Sequence, residues 1–387
     1  MTKKNSIYYP SFFTYTLQGM IALSIGLLMP FILDAYSISY SQGGSMIFFL
    51  LLGGMMSSTA GGMLIGKAGE KFVIIVGALC VLFGYGIFLF VENIKIIYIL
   101  LFFVGIGTGL FNIALNTLVA FVSDSDAKKI NSLHMFFAVG ALLATIIVAS
   151  ISFFNLNWKI FICIIDAMAF ATILMFAKMD IHKHKQDKRD HKLDLSFFKK
   201  PYIYIFLALL FFYVGIENAV NGWIVTFLSE SKIVSETASN SVLSVLWLLV
   251  IIGRLINRRL KKSITLESRI VVTSIIILLS YVLLITTSSV FVLLASVVIL
   301  GLAMSAFYPN VIANSSEKIK SNSTALGLIL SFGGLGGAVI PWINGLVADS
   351  KGLQMGMYAV ILSIVLLIVA AICNIKTRAE NYNNKID

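Results

Sequence analysis

The chain has 387 residues, of which 59% are hydrophobic and 12% charged, with a mean hydropathy of +0.95 and a formal net charge of +11. A soluble domain carries about 25% charged residues, so a soluble enzyme around a large core is excluded. The positive balance alone would suit nucleic acid, but its distribution along the chain excludes that too.

Apolar stretches long enough for a membrane-crossing helix, about 20 residues, recur from end to end. In chain order they fall at 11–33, 46–66, 73–91, 96–120, 133–154 and 158–178, then at 203–228, 241–256, 270–287, 290–313, 324–347 and 355–375. A β-barrel would need alternating strands of about ten residues, and these runs are longer and apolar all round. The expected fold is therefore an all-α membrane protein of twelve transmembrane helices. The longest polar stretch, "KMDIHKHKQDKRDHKLDLSFFKKP" at 178–201, splits the spans six and six. It gives an N-terminal six-helix bundle over 1–178, a cytoplasmic linker over 179–200 and a C-terminal six-helix bundle over 201–387. Duplicated halves of this kind are a common plan of secondary transporters, with the substrate held between them.

With the N-terminus placed in the cytoplasm, 25 of the 29 Lys and Arg residues fall on the cytoplasmic side. Lys95, Lys159, Lys232 and Lys351 are the four outside. This is the positive-inside bias, and it predicts a multi-pass plasma-membrane protein with both termini cytoplasmic. The basic charge is topological, so nucleic acid is not expected as a partner and the lipid bilayer is. Cys80, Cys163 and Cys373 lie inside spans without a CxxC pair, which argues against disulfides, and no cleavable signal is evident. His182, His184 and His191 lack the geometry of a metal site. They read as part of a solvated basic loop, and no metal or cofactor is expected. Small-residue spacing in "GGMLIG" (61–66), "GIGTG" (105–109) and "GGLGG" (333–337) marks close helix approaches. The second of these looks like a nucleotide loop but has no strand before it.

Several patches resemble the major facilitator superfamily. "GGMLIGKAGEKF", 61–72, is similar to the signature loop after the second span, with Gly62, Lys67, Gly69 and Lys71 matching and Gly66 at the acidic position. "GRLINRR", 253–259, resembles the basic loop after the eighth span and includes Arg254. "NSLHMFFAVGALLAT" (131–145), "YVGIENAVNGW" (213–223), "AFYPNVIANSSE" (306–317) and "FGGLGGAVIPWINGLVAD" (332–349) together resemble the fucose/glucose–proton symporter group. That resemblance implies two pseudo-symmetric bundles of the major facilitator fold and hexose uptake by alternating access, coupled in many members to protons or sodium. The group's fourth-span glutamate corresponds to Asn112 and its first-span aspartate to Gly26, while Asn116 matches. Both expected proton carriers are missing, so facilitated diffusion and coupling through another acid are open.

The other acid is Glu217. An acidic side chain at a helix centre costs about 2.5–3.5 kcal/mol on the insertion scale, so a cavity, a partner or a function must offset it. Glu217 and Asn221 are four apart and share a helix face, with Trp223 close by. A carboxylate, an amide and an indole are the parts that bind hydroxyls and the C–H face of a sugar. The competing reading is a glutamate satisfied inside the bundle. Asn112 and Asn116 repeat the four-residue spacing on the fourth span, and Gln18 lies in the first. Each suits either substrate contact or interhelical hydrogen bonding. Tyr308, Asn310 and Asn314 flank Pro309, where a kink can form a gate or serve architecture. His134 at the start of the fifth span fits the site or helix-end packing, and Asp166 in the sixth span is expected to be structural.

These residues predict a small polar solute, most readily a sugar, moved by a monomeric carrier with a proton or sodium as possible co-substrate. Glu217 is the proton-coupling candidate. The alternative is a proton-driven multidrug or metabolite efflux pump of the same fold. With no HExxH, no Gly-x-Ser-x-Gly elbow and no Ser–His pair, an enzyme is not expected.

Overall fold

A computed structural model describes residues 5–123, 127–179, 196–257, 264–319 and 323–383. Among them the elements run α1 (Asn5–Tyr36), α2 (Tyr40–Ala68), α3 (Glu70–Phe88), α4 (Ile94–Val122), α5 (Ala127–Phe153) and α6 (Lys159–Ala177). A short 3₁₀ turn (Ser196–Lys199) leads into α7 (Pro201–Ser231), α8 (Glu236–Asn257), α9 (Leu266–Thr286), α10 (Val290–Lys318), α11 (Ser323–Lys351) and α12 (Leu353–Asn383). This is the all-α, twelve-span architecture that the apolar runs predict. Within α2 the Tyr40–Ser58 and Ala60–Ala68 parts meet at 48°. The break falls in the run of small residues at 57–62. The linker histidines lie outside the described residues.

Two compact units emerge. One is built on α1–α6 and takes in the first turns of α8, Ser235–Ser244. The other holds α7, α8 from Val245 onward and α9–α12. Within each unit the same ordinal pairs of helices touch backbone to backbone, and glycine is what permits it. A Cβ on Gly140 of α5 would collide with the Thr16 carbonyl of α1, and one on Gly336 of α11 with the Phe211 carbonyl of α7. The first and fifth helices of each six are thus paired alike. A Cβ on Gly105 of α4 would likewise collide with the Leu50 carbonyl of α2, and one on Gly301 of α10 would come within 2.8 Å of the Leu246 carbonyl of α8. The second and fourth helices repeat the pattern. The duplication visible in the span count is therefore also a duplication of the packing plan.

Polar groups close the helix ends. Lys71 at the start of α3 donates to the Ala177 and Met179 carbonyls at the end of α6 (3.0 and 2.7 Å). Lys159 at the start of α6 donates to the Leu89 carbonyl just past the end of α3 (2.8 Å). Each helix caps the other's C-terminus with a cation, where orphan carbonyls and the dipole favour one. In the second unit, Glu267 on α9 accepts from Asn314 on α10 (3.0 Å) and pairs with Lys318 (3.6 Å). Lys318 also donates to Asn374 on α12 (2.8 Å), whose amide returns to Asn314 (2.9 Å). Three helices are tied by one buried cluster.

Candidate functional site

In the first unit, three of the predicted residues share α1 and α4. Asn112 and Asn116 are one turn apart on α4, and Asn116 Nδ2 donates a hydrogen bond to Asn112 Oδ1 (2.9 Å). Tyr15 on α1 completes the triangle. Its hydroxyl donates to Asn112 Oδ1 (3.1 Å) and accepts from Asn116 Nδ2 (2.7 Å). Tyr15 is buried while Asn112 is exposed, so a buried hydroxyl holds an accessible amide in a fixed pose. His134 of α5 meets the Tyr15 ring edge-on, with centroids 5.4 Å apart. Gln18, one turn along α1 from Tyr15, is 8% exposed, and its buried Oε1 has no hydrogen-bond partner. A buried amide oxygen left open costs about 1–3 kcal/mol, which marks Gln18 as a group held for something other than packing.

The second unit arranges its polar set on α7, α8 and α10. Glu217 faces Tyr213, one turn earlier on α7, and lies within electrostatic reach of Arg254 on α8 and Tyr308 on α10. The Tyr213 hydroxyl donates to the Met304 carbonyl (2.9 Å), and its ring stacks on Phe307 at 4.6 Å. The same hydroxyl is also within hydrogen-bonding reach of the Glu217 carboxyl. Tyr308 packs against Tyr213 at 6.3 Å. Asn221 accepts from Trp247 Nε1 of α8 (3.2 Å), so its carbonyl serves a helix contact. Asn310, one residue past Pro309, is buried within α10.

Trp223 does not join this set. It is fully buried, and its indole N–H donates to the Pro341 carbonyl of α11 (2.9 Å). Two residues beyond Asn221 is about 200° around a helix, so it belongs to the opposite face. The structure places this indole in a helix contact, and the rings beside Glu217 are Tyr213 and Tyr308.

The signature-loop residues are also largely helical. Gly62 and Lys67 lie in α2, Lys71 lies in α3, and the turn between them is Gly69 alone, at φ +85°, a conformation suited to glycine. Arg254 sits in the last turn of α8, not in the loop after it, and its Nε is buried without a hydrogen-bond partner. Asp166 was expected to have a structural partner. Its Oδ1 is buried with no hydrogen bond, and its other oxygen faces Gly86 of α3. All three cysteines are free, and no group of metal-ligating side chains occurs among the described residues.

Sequence reasoning missed Tyr15, Tyr213 and the inward place of Arg254. Tyr213 to Glu217 is a four-residue step and Tyr15 to Gln18 a three-residue step, spacings that put each pair on one helix face; neither tyrosine carries the charge or amide that marks the other candidates.

The sequence is 23% identical over 391 residues to the glucose/mannose transporter GlcP of Bacillus subtilis, covering 95% of this chain and 94% of that one. It is 21% identical over 361 residues to a glucose/galactose transporter of Brucella abortus, covering 88% and 87%. Among solved structures, a mutant of the nucleoside transporter NupG superposes with a TM-score of 0.82 at 14% identity, covering 96% of this chain and 100% of that one. At that identity the likeness concerns the fold. The sequence pattern of the Major Facilitator Superfamily matches residues 11–341, most of the chain, and the protein belongs to that superfamily.

Proposed function

We propose that the protein carries a hexose-type sugar across the plasma membrane by alternating access, with both termini cytoplasmic, as a monomer in the bilayer. One observation carries the reading: polar side chains are set into otherwise apolar helices at hydrogen-bonding positions suited to a polyhydroxylated solute. Asn112 and Asn116, ordered by Tyr15, offer amides on α4, and Gln18 adds an open acceptor on α1. Glu217 adds a carboxylate flanked by two tyrosines. Hydroxyls both donate and accept, so a mixed set of amides and a carboxylate matches them. Similarity to two sugar transporters along nearly the whole chain supports the same substrate class and disfavours drug efflux.

Uptake of labelled hexoses into proteoliposomes tests this. Equilibration faster than in protein-free vesicles is expected; equal rates would remove the sugar assignment. Glu217 is the residue we assign to proton coupling, because Gly26 and Asn112 stand where the resembled symporters carry acids. Glu217→Gln is expected to abolish gradient-driven accumulation. Near-normal accumulation at every pH would make that glutamate scaffolding and leave coupling to sodium, whereas a wild type that equilibrates hexose without accumulating it would be a facilitated-diffusion carrier.

A further inference from the structure

Arg254 has the properties of a working residue and no place in the proposed function so far. It is a guanidinium in the last turn of α8 whose Nε is buried without a hydrogen-bond partner. Arg254 as a whole is half-buried, and an N–H shut away from water costs about 1–3 kcal/mol unless something accepts it. The helix register points to what does.

Asn221 on α7 and Trp247 on α8 are hydrogen-bonded and fix the level at which these consecutive, oppositely directed spans meet. Glu217 lies four residues from Asn221 and Arg254 seven from Trp247, each on the face of its reference residue. At 1.5 Å per residue these steps are about 6 and about 10 Å, both toward the same end of the pair. The offset of about 4 Å is closed by side-chain direction. Side chains lean toward their own helix N-terminus, so in antiparallel neighbours Glu217 and Arg254 lean toward each other. A second route gives the same placement. Gly253, beside Arg254, has no side chain, and Ser305 of α10 occupies that space. The adjacent residue, Met304, receives the Tyr213 hydroxyl one turn from Glu217. Three helices therefore converge at the level of the carboxylate and the guanidinium, which lie within electrostatic reach of each other.

Resting on the reading of Glu217 as a sugar contact, we infer that Arg254 is its positioning partner. The guanidinium holds the carboxylate in one orientation, and the two together recognise a single sugar hydroxyl. The chemistry suits this: a guanidinium only donates, a carboxylate only accepts and a hydroxyl does both. Charge-assisted bonds of this kind are about twice as strong as neutral ones. The pair is specific for a hydroxyl in a way that Glu217 alone is not, since an isolated carboxylate accepts from any donor.

The test uses the full-length protein in proteoliposomes, with labelled glucose as substrate and the monodeoxyglucoses as competitors. One deoxy position is expected to lose at least tenfold in apparent affinity on the wild type and no more than twofold on R254Q. R254Q is expected to raise KM at least tenfold with Vmax changed less than threefold, and R254K to fall between. In the E217Q background, R254Q is expected to add less than twofold. A change of KM below twofold in R254Q, or an unchanged deoxy profile, would overturn the inference, as would multiplicative losses in the double variant. If E217Q itself transports with normal KM, the reading of Glu217 fails. If E217Q is impaired and R254Q is not, only the present inference fails. Should R254Q fail to fold, R254K and the doubly neutral E217Q/R254Q, which leaves no lone buried charge, carry the same comparisons.

Discussion

Tyr15 and Trp223 show why the same type of bond has different consequences at two places. Both are buried aromatics, each donating one hydrogen bond. Tyr15 binds the side chains of Asn112 and Asn116, whereas Trp223 binds the backbone of Pro341 in a helix contact. Tyr15→Phe keeps the ring and its packing but leaves two amides to find new partners, at a cost of about 1–3 kcal/mol where they remain buried. Because Asn112 is exposed, water compensates part of this, and the main effect is lost orientation at the site. The expected outcome is a KM for hexose raised roughly tenfold, about 1.4 kcal/mol of binding, with little change in melting temperature. Trp223→Phe should do the reverse, lowering the melting temperature and leaving KM within twofold. Uptake kinetics and thermal unfolding in detergent separate the two. Only part of this difference is legible in the sequence. Glu217 and Asn221 stand out because charge and amide are rare in lipid, whereas a tyrosine passes for membrane filler. Arg254 is placed in a loop by the resemblance of "GRLINRR" to a basic loop, although the eighth apolar run extends to 256 and its helix to Asn257.

At the scale of helices, lipid-facing composition explains both what was legible and where the ends were misdrawn. Hydropathy detects residues that face acyl chains, and it stops where a helix turns polar. The tenth span was drawn to 313, yet α10 runs to Lys318 because Asn314 and Lys318 are satisfied by Glu267 and Asn374. The eighth was drawn from 241, yet α8 begins at Glu236. The glycine patches were legible as close approaches, but not which glycine touches what. Gly336 and Gly327, nine residues apart on α11, separate the cases. A Cβ at Gly336 meets the Phe211 carbonyl, while one at Gly327 meets nothing within 4 Å. Gly336→Val should force α7 and α11 apart and remove most folded protein from the membrane. Gly327→Ala should be neutral or stabilising by up to about 1 kcal/mol, the ordinary helix preference for alanine. Yield of monodisperse protein on size exclusion reads both; equal yields would contradict the backbone-to-backbone packing of the first and fifth helices in each half.

For the molecule as a whole, orientation depends on charge outside the helices. Lys71 and Lys159 are each spent on capping the other's helix, so neither is a free topological signal. Removing both from the tally leaves 24 basic residues on the proposed cytoplasmic side and three on the other. The bias survives because it rests on the long basic stretch between the halves and on the segment after α8, not on the capping lysines. Loops dominate insertion when their Lys and Arg lie within about 15–20 residues of a span, as most of these do. Substituting Lys71 and Lys159 by methionine should therefore cost stability at the α3–α6 contact without inverting the protein. A fluorescent protein fused after residue 387 should remain bright in both the wild type and this double variant, because it folds in the cytoplasm. Alkaline phosphatase at the same point should stay inactive. Phosphatase activity from the wild-type fusion would reverse the proposed orientation. Activity from the double variant alone would mean that the two capping lysines also serve as topological anchors.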